Sequence, residues 1–206
     1  MTETPPRRRA PGMTPEHRRA MIVAAALPLV AEYGAAITTS QIARAAGIGE
    51  ATIFRAFKDK DEVLDACVTE AVNPDHVLRE LASIPLDQPL PVRLSDAAEA
   101  IRAHLERMGT VVGSLHASGH RRDRSPADRP PPGSREQSMR VVREAVTDLI
   151  EPDRAALRLE PEKLASIFLG MLFTRLHFAS ADTEPTSEDL VDVLLHGSLD
   201  DSRSAT

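Results

Sequence analysis

The sequence predicts an all-α protein, and two observations support this prediction. Along most of the 206 residues, apolar side chains recur at spacings of three and four, as they do on the buried face of a helix. No segment shows the alternation of apolar and polar residues that predicts a half-buried strand. Proline, glycine and charged clusters separate the apolar segments, so we expect each segment to form its own helix.

A first long helix is predicted to begin at Thr14, which can cap the helix, with Pro15 at its first position. Apolar residues from Met21 to Val30 form its inner stripe. Pro28 lies inside this helix, and we expect a kink there because an interior proline removes a backbone hydrogen bond.

The stretch from Thr38 to Phe57 predicts two short helices joined by a tight turn. Thr38 and Gln41 have the spacing of a capping box, which predicts the start of the first of them. Gly47 can take the left-handed conformation that ends a helix, and Ile48 fills the corner. This pattern is the sequence form of a helix-turn-helix, which places its second helix in the major groove of DNA.

The second short helix is predicted to begin at Gly49 or Glu50 and to end near Phe57. Three of its residues fall at spacings of three and are predicted to face inward: Ala51, Phe54 and Phe57. Four others are left facing outward, a composition that suits contact with a DNA groove: Glu50, Thr52, Arg55 and Ala56.

Residues 14 to about 72 resemble the DNA-binding domain of the TetR family of transcriptional regulators. The resemblance covers a little under a third of the chain. Four segments carry it: Glu32-Tyr33-Gly34, Ile37-Thr38, Ile42-Ala43-x-x-Ala46-Gly47-Ile48, and Thr52-Ile53-Phe54-x-x-Phe57-x-x-Lys60-x-x-x-Leu64. It implies a helix-turn-helix domain at 14–60 and a larger helical effector-binding and dimerisation domain at 61–200. Residues 201–206 are predicted to be a disordered tail.

Three residues depart from the family pattern. Gly49 replaces the usual serine at the start of the recognition helix, and glycine is still an acceptable cap. Phe54 replaces the usual tyrosine and so loses a phenol that could bond a phosphate. Glu50 is acidic, which costs Coulomb energy near DNA unless the carboxylate accepts a hydrogen bond from a cytosine amino group.

We expect the DNA contacts to come from the helix-turn-helix and from the start of the fourth helix. Arg55 and Thr52 are the predicted base contacts, whereas Thr38, Thr39 and Lys60 are the predicted phosphate contacts. The full set of predicted DNA-binding residues is Thr38, Thr39, Ser40, Gln41, Gly49, Glu50, Ala51, Thr52, Phe54, Arg55 and Lys60.

The charge distribution agrees with a DNA-binding N-terminus. The net charge is −6, yet residues 1–60 carry nine basic against five acidic side chains, whereas the rest of the chain carries 16 against 26. Residues 1–13 are predicted to be a disordered basic arm. That arm is either a solvated tail or a source of phosphate or minor-groove contacts from Arg7, Arg8 and Arg9.

The remaining apolar segments predict helices at about 60–72, 92–113, 135–150, 161–181 and 186–196, with a break after Pro74 and a mobile loop at 117–134. The segment 164–173 is apolar on almost every side, which predicts burial on more than one side. We expect the last two helices, about 161–196, to form a homodimer interface, as the resemblance also implies. The alternative is a helix central to the core of a monomer.

A regulator of this kind needs a signal, and the body helices could enclose a small-molecule effector of unknown identity. The candidate ligand-binding residues are Cys67, His104, Met108, Met139, Arg143 and Phe173. For each of them the alternative is an ordinary core or surface residue. Cys67 could also be a thiol sensor, although it falls on the packed face of its helix.

We predict no metal site, no cofactor and no enzymatic activity. His116 and His120 have a spacing that binds metal on a helix, but no third ligand is evident. The sequence lacks a nucleophile elbow, a phosphate-binding loop and a zinc-protease motif.

A single cysteine excludes an internal disulfide, and the longest apolar run, 21–31, is too short to cross a bilayer. We therefore expect a cytoplasmic protein that does not bind membranes. The predicted function is a ligand-responsive transcriptional repressor that acts as a homodimer on a palindromic operator of double-stranded DNA. Two alternatives remain: a helical ligand-binding protein with a degenerate DNA-binding head, and a DNA-binding activator or architectural protein with no ligand.

Overall fold

The computed structural model describes residues 13–119, 134–178 and 185–197, and the regular structure in these ranges is helical, which confirms the all-α prediction. The same ranges contain two short 3-10 helices, at Gly34–Ala36 and Glu151–Ala156. The α-helices of these ranges are α1 (Pro15–Tyr33), α2 (Thr39–Ala45), α3 (Glu50–Ala56), α4 (Lys60–Ala71), α5 (Asp75–Ala82), α6 (Leu90–Ala117), α7 (Ser134–Ile150), α8 (Pro161–Phe178) and α9 (Ser187–His196).

Three predicted features lie wholly or mostly outside the described residues. They are the basic arm with its three arginines, most of the loop at 117–134, and the tail at 201–206.

Helix α5 is absent from the sequence prediction, because Pro74 suggests a break in the chain. Pro74 instead occupies the position that precedes the first helical residue, where its missing N–H leaves no bond unmade. Val77 and Leu81, four residues apart, then anchor the helix, and both are buried. Helix α6 is also longer than the predicted 92–113, since Pro91 lies in its first turn, where proline is tolerated.

The helices divide into two compact units. The head unit comprises the described residues 13–72 and 108–119, and the body unit comprises residues 73–107, 134–178 and 185–197. This compact head extends beyond the predicted boundary at residue 60, because it includes α4 and the C-terminal part of α6.

The core of the head unit explains why α4 and the end of α6 belong to it. Helix α1 buries one stripe, which includes Ile22, Ala26 and Val30. The side chains that pack in the same cluster from α4 and α6 are Val63, Leu64, Cys67, Val68, Val111 and Leu115. Because these side chains share one core with α1, a head that ended at residue 60 would leave part of that core exposed.

By length and composition alone, residues Pro15–Ala36 could cross a membrane, with a mean hydropathy of 1.3. The apolar run 21–31, which was expected to be too short to cross a bilayer, lies within this segment. The core helix of a globular protein meets the same criterion, and α1 buries Ile22, Ala26 and Val30 in the head core. We therefore assign α1 to the head core.

Gly34, at the end of α1, lies against the C-terminal end of α6. Its backbone has φ 56° and ψ −138°, a combination that glycine adopts far more readily than other residues. A Cβ atom there would lie 2.7 Å from the Ser114 carbonyl oxygen and 2.8 Å from Ser118 Oγ. Hydrogen bonds flank this contact, because Ser114 Oγ donates to the Ala31 carbonyl at 2.7 Å and the Ala35 amide donates to Ser118 Oγ at 2.9 Å.

We expect Gly34→Ala to lower the free energy of unfolding of the head unit by about 1–3 kcal/mol, because alanine is strained at this backbone conformation and its methyl group meets Ser114. Gly47→Ala is the matched control, since Gly47 also has a positive φ of 66° but an added Cβ would meet nothing within 4 Å. Thermal or chemical unfolding of the two variants measures the difference. Equal destabilisation by both would show that the contact with α6 contributes nothing beyond backbone strain.

The core of the body unit contains one buried cation, Arg93 of α6, among the residues that the structure describes. Its guanidinium donates to the Leu149 carbonyl at 2.5 Å, near the end of α7, and it also forms an ion pair with Asp153 in the following 3-10 helix. A buried charge is stable only with such partners. Arg93 thus holds the start of α6 to the end of α7.

The last two helices each leave an apolar side chain exposed in the single chain. In α8 the buried side chains include Leu164, Phe168 and Leu172, whereas Ile167 remains 45% exposed, so the chain itself covers one face and burial of a second face stays a prediction. In α9, Val191 is buried and Val193 is 44% exposed, although the apolar pattern of this helix favours Val193 as an inward residue.

The rotation of α9 has a physical cause in its first residue. The buried Ser187 hydroxyl donates to Glu99 of α6 at 2.5 Å. Ser187 and Val191, four residues apart, therefore lie on the inner face, which directs Val193 outward.

Candidate nucleic-acid interface

The helix-turn-helix is built by α2, α3 and the turn between them. The predicted capping box at the start of α2 is confirmed, because the Gln41 amide donates to Thr38 Oγ1 at 3.2 Å and the Thr38 amide donates to Gln41 Oε1 at 2.8 Å. Gly47 ends the first helix with φ 66°, and the Ile48 amide closes the turn on the Ala43 carbonyl at 3.0 Å. The local sequence is sufficient to produce this motif.

The inward face of α3 differs from the sequence prediction. Ile53 is fully buried and Phe57 is 2% exposed, whereas Phe54 is 52% exposed and Ala51 is also exposed. The prediction that Phe54 and Ala51 face inward was therefore wrong. Ile53 and Phe57 are four residues apart, the spacing of one turn, and this pair turns Phe54 towards solvent.

The predicted DNA-binding residues lie on α2 and α3, at the N-caps of these two helices, or at the start of α4. Those that are exposed are Thr38, Ser40, Gly49, Glu50, Ala51, Phe54 and Arg55. Those that are half-buried are Thr39, Gln41, Thr52 and Lys60. Their roles in DNA contact remain predictions.

Arg55 is the one basic residue of α3. It is exposed, and its guanidinium has no hydrogen bond or ion pair with any residue in the described part of the chain. Its five N–H donors are therefore free to bond a guanine base edge or phosphates.

Lys60, a predicted phosphate contact, already has a partner within the protein. Its ammonium donates to the Ala35 carbonyl at 2.8 Å, which ties the start of α4 to the 3-10 helix after α1. An ammonium has three donors, so a phosphate can still bind there alongside the carbonyl.

Arg19 of α1 orients the recognition helix α3, a role that the sequence did not indicate. Its guanidinium donates to the Ala56 carbonyl at the end of α3, stacks 4.0 Å from the ring centroid of Phe57, and pairs with Glu62 of α4 at 2.8 Å. The Lys58 amide, which donates to Glu62 at 2.6 Å, and the Arg19 guanidinium lower the pKa of the Glu62 carboxyl. In the sequence, a single arginine on a helix cannot be distinguished from one that faces solvent, so the sequence does not predict this contact.

The six predicted ligand-binding residues do not lie in one unit. Cys67 and Met108 belong to the head unit, and the other four belong to the body unit. Cys67 is fully buried in the head core, and burial raises the pKa of its thiol to about 12. The thiol therefore stays protonated at neutral pH, and a protonated thiol is a poor sensor of oxidants.

Two grooves of the body unit contain predicted ligand-binding residues. Met139 and Arg143 line one groove of about 430 Å³ along α7. Arg143 also lines a second, open groove of about 730 Å³ between α7 and α8, where most of the other side chains are charged or polar. His104 and Phe173 line neither groove, and burial lowers the pKa of the half-buried His104.

Within the described ranges, no group of three or more histidine, cysteine, aspartate or glutamate side chains could hold a metal ion. The proposed partner of His116, His120, lies outside those ranges.

Comparisons with known proteins find a similar N-terminal domain. Residues 22–67 match the family model for bacterial regulatory proteins of the tetR family. None of the curated protein sequences matches the chain.

Solved structures share the fold. One is the TetR transcriptional regulator SCO0520 from Streptomyces coelicolor, with a TM-score of 0.55 at 21% identity over 87% of this chain and 97% of that chain. Another is the transcriptional regulator FadR from Bacillus subtilis in complex with stearoyl-CoA, with a TM-score of 0.54 at 16% identity over 87% of this chain and 99% of that one. A third is the TetR family regulator PfmR from Thermus thermophilus, with a TM-score of 0.51 at 18% identity over 85% and 97% of the two chains.

Proposed function

We propose that this chain is a regulator of the TetR family, whose model matches residues 22–67, and that it is a ligand-responsive repressor that binds a palindromic operator as a homodimer. Two copies of α3 would enter successive major grooves on one face of the DNA, about 34 Å apart. The protein would act in the cytoplasm, where its operator lies.

One observation carries the DNA-binding part of this proposal. Within a helix-turn-helix, Arg55 is exposed and unpaired on α3 among the described residues, beside the half-buried Thr52. A guanidinium left free on this face fits a guanine, the base that arginine recognises most often. Arg19 fixes the far end of the same helix, so the face is presented in one orientation.

We place the dimer interface on α8 and α9, at about 161–196. Ile167 and Val193 each keep over two-fifths of their surface exposed in the single chain. Exposed apolar side chains of this size on adjoining helices favour a protein partner, and a second copy is the simplest one.

The signal for release is proposed to be a small molecule bound by the body unit. The Bacillus subtilis regulator of the same fold was solved with stearoyl-CoA, which makes that thioester a suitable first probe. The dimer would exist in two states that differ in the spacing of its two heads. A ligand that binds one state more tightly than the other increases the population of that state, and the ratio of the two affinities sets the change in operator binding.

Selection of binding sites from random duplex DNA tests the proposal, with the affinity of the enriched site measured against salt concentration. An inverted repeat with a large ratio of specific to random binding is the expected result. Weak binding that salt abolishes, without any motif, would instead favour a ligand-binding protein with a degenerate head. Specific binding that no screened ligand changes would favour a regulator without an effector.

Arg55→Ala is expected to weaken operator binding by about 1–3 kcal/mol and to relax the base preference at one position of each half-site, because the bidentate contact with guanine is lost. Quantitative binding to the selected site and to its single-base variants measures both effects. Arg79→Ala removes an exposed arginine from α5 in the body unit and serves as the control for net charge. If Arg55→Ala binds the operator as the parent protein does, α3 is oriented differently on DNA.

A further inference from the structure

Glu50 is the acidic residue on the outer face of α3, and its carboxylate accepts a hydrogen bond from one hydroxyl group of the protein. It is the first residue of α3 and is exposed. Thr39 Oγ1, from α2, donates to Glu50 Oε2 at 3.0 Å. No cation of the described ranges forms an ion pair with Glu50. The carboxylate is therefore oriented by the protein, but its charge is not neutralised by it.

An unneutralised carboxylate on this surface needs a partner on the DNA. The first residues of a recognition helix approach the base edges, between two rows of phosphates. A negative charge in that position is repelled unless a hydrogen-bond donor of a base meets it. Because Thr39 occupies Oε2, the other oxygen, Oε1, is left to accept such a bond.

The base edges of the major groove offer two amino donors, N4 of cytosine and N6 of adenine. Adenine presents its N7 acceptor beside N6, and this lone pair would face the carboxylate and repel it. Cytosine has no acceptor of its own at that edge, and carboxylates accept from its N4 group. A carboxylate in this position therefore prefers cytosine, whereas an amide, with its own donor, would prefer adenine.

From this geometry we infer that Glu50, positioned by Thr39, selects a cytosine in each half-site of the operator. The inference rests on the proposed function, since it requires that α3 read an operator. It also changes the role of Thr39: a predicted phosphate contact becomes a positioning residue, whose hydroxyl proton is directed at the carboxylate. Glu50 then acts as a specificity residue that lowers the affinity for every other base.

Site selection with a set of variants tests the inference. The parent protein should select one cytosine in each half-site. Glu50→Ala should keep the rest of the motif, lose the preference at that position and bind random duplexes more tightly, because a repelled charge is gone. Glu50→Gln should change the selected base from cytosine to adenine, since glutamine bonds both N6 and N7. Thr39→Val should weaken the preference at the same position only.

Thr69→Val is the matched control, because it makes the same change as Thr39→Val at an exposed threonine of α4 that lies outside the predicted DNA-binding set. Its motif should equal that of the parent protein. Titration of four duplexes that differ only at the selected position gives the magnitude. The parent should prefer cytosine by about tenfold or more, and Glu50→Ala should reduce this preference to about twofold or less.

The outcomes separate this inference from the proposed function. If the parent protein selects no motif, the proposed function fails and the inference fails with it. If the parent selects a motif that Glu50→Ala and Glu50→Gln leave unchanged, or weaken evenly at all positions, only the inference is overturned. Selection of adenine by the parent at the Glu50-dependent position would overturn the assignment of cytosine. Unchanged thermal unfolding of each variant shows that the motifs come from folded proteins.

Discussion

Phe57→Ala is expected to lower the free energy of unfolding of the head unit by about 3–5 kcal/mol, the usual cost of deleting a buried phenylalanine ring. The ring is 2% exposed and packs in the head core at the end of α3. Its outer face also carries the Arg19 guanidinium, 4.0 Å from the ring centroid. Its loss would therefore create a cavity and would also leave Arg19 without one of the contacts that orient α3.

Phe54→Ala is the matched control, because it makes the same change three residues earlier, at a ring that is 52% exposed. Its effect on stability should stay within about 0.5 kcal/mol. Amide hydrogen exchange in the head unit reports the free energy of opening for both variants. Equal destabilisation would mean that Phe54 packs inward, as the apolar pattern of the sequence suggests.

Ile167→Glu is expected to convert the proposed dimer into a monomer. In the single chain Ile167 is 45% exposed, so a glutamate is tolerated there and the fold should persist. In a two-fold interface the substitution buries two carboxylates without partners, at several kcal/mol each. A change of this size raises the dimer dissociation constant by about a hundredfold or more. Operator affinity should fall as well, because a monomer contacts one half-site.

Sedimentation or light scattering across a concentration series measures the change in mass. Leu86→Glu is the control, because Leu86 is 53% exposed in the body unit but lies between α5 and α6. It should leave the mass unchanged. An Ile167→Glu protein that keeps the mass of the parent at every concentration would place the interface elsewhere, and a parent that is monomeric throughout would refute the dimer.

The features that the sequence predicted correctly depend on neighbouring residues. The capping box at Thr38 and Gln41 and the glycine turn at Gly47 involve partners within a few positions, and the structure confirms both. The all-α fold follows from a periodicity that extends along the chain. Features of this kind can be predicted from the sequence because the residues that form them are neighbours in the chain.

The features that the sequence missed depend on distant partners. In a helix of seven residues, Phe54 and Ile53 are equally plausible inner residues, and packing against α1 and α4 decides between them. Likewise, the rotation of α9 is set by the bond from Ser187 to Glu99, 88 residues away in the chain. For the same reason Arg19, with partners 37 and 43 residues away, looked like a surface residue.

The composition of the head unit constrains how regulators of this kind can be recombined. Its core is completed by Val111 and Leu115, which are 5% and 0% exposed. In the sequence, residues 73–107 of the body unit separate these two side chains from the first segment of the head, which ends at Val72. A chimera that joined residues 1–72 to a foreign body would keep the helix-turn-helix but lose these two side chains and the Ser114 contact of Gly34. A transplantable DNA-reading module from this chain therefore consists of two separate segments, and the second must replace the end of the recipient's own sixth helix.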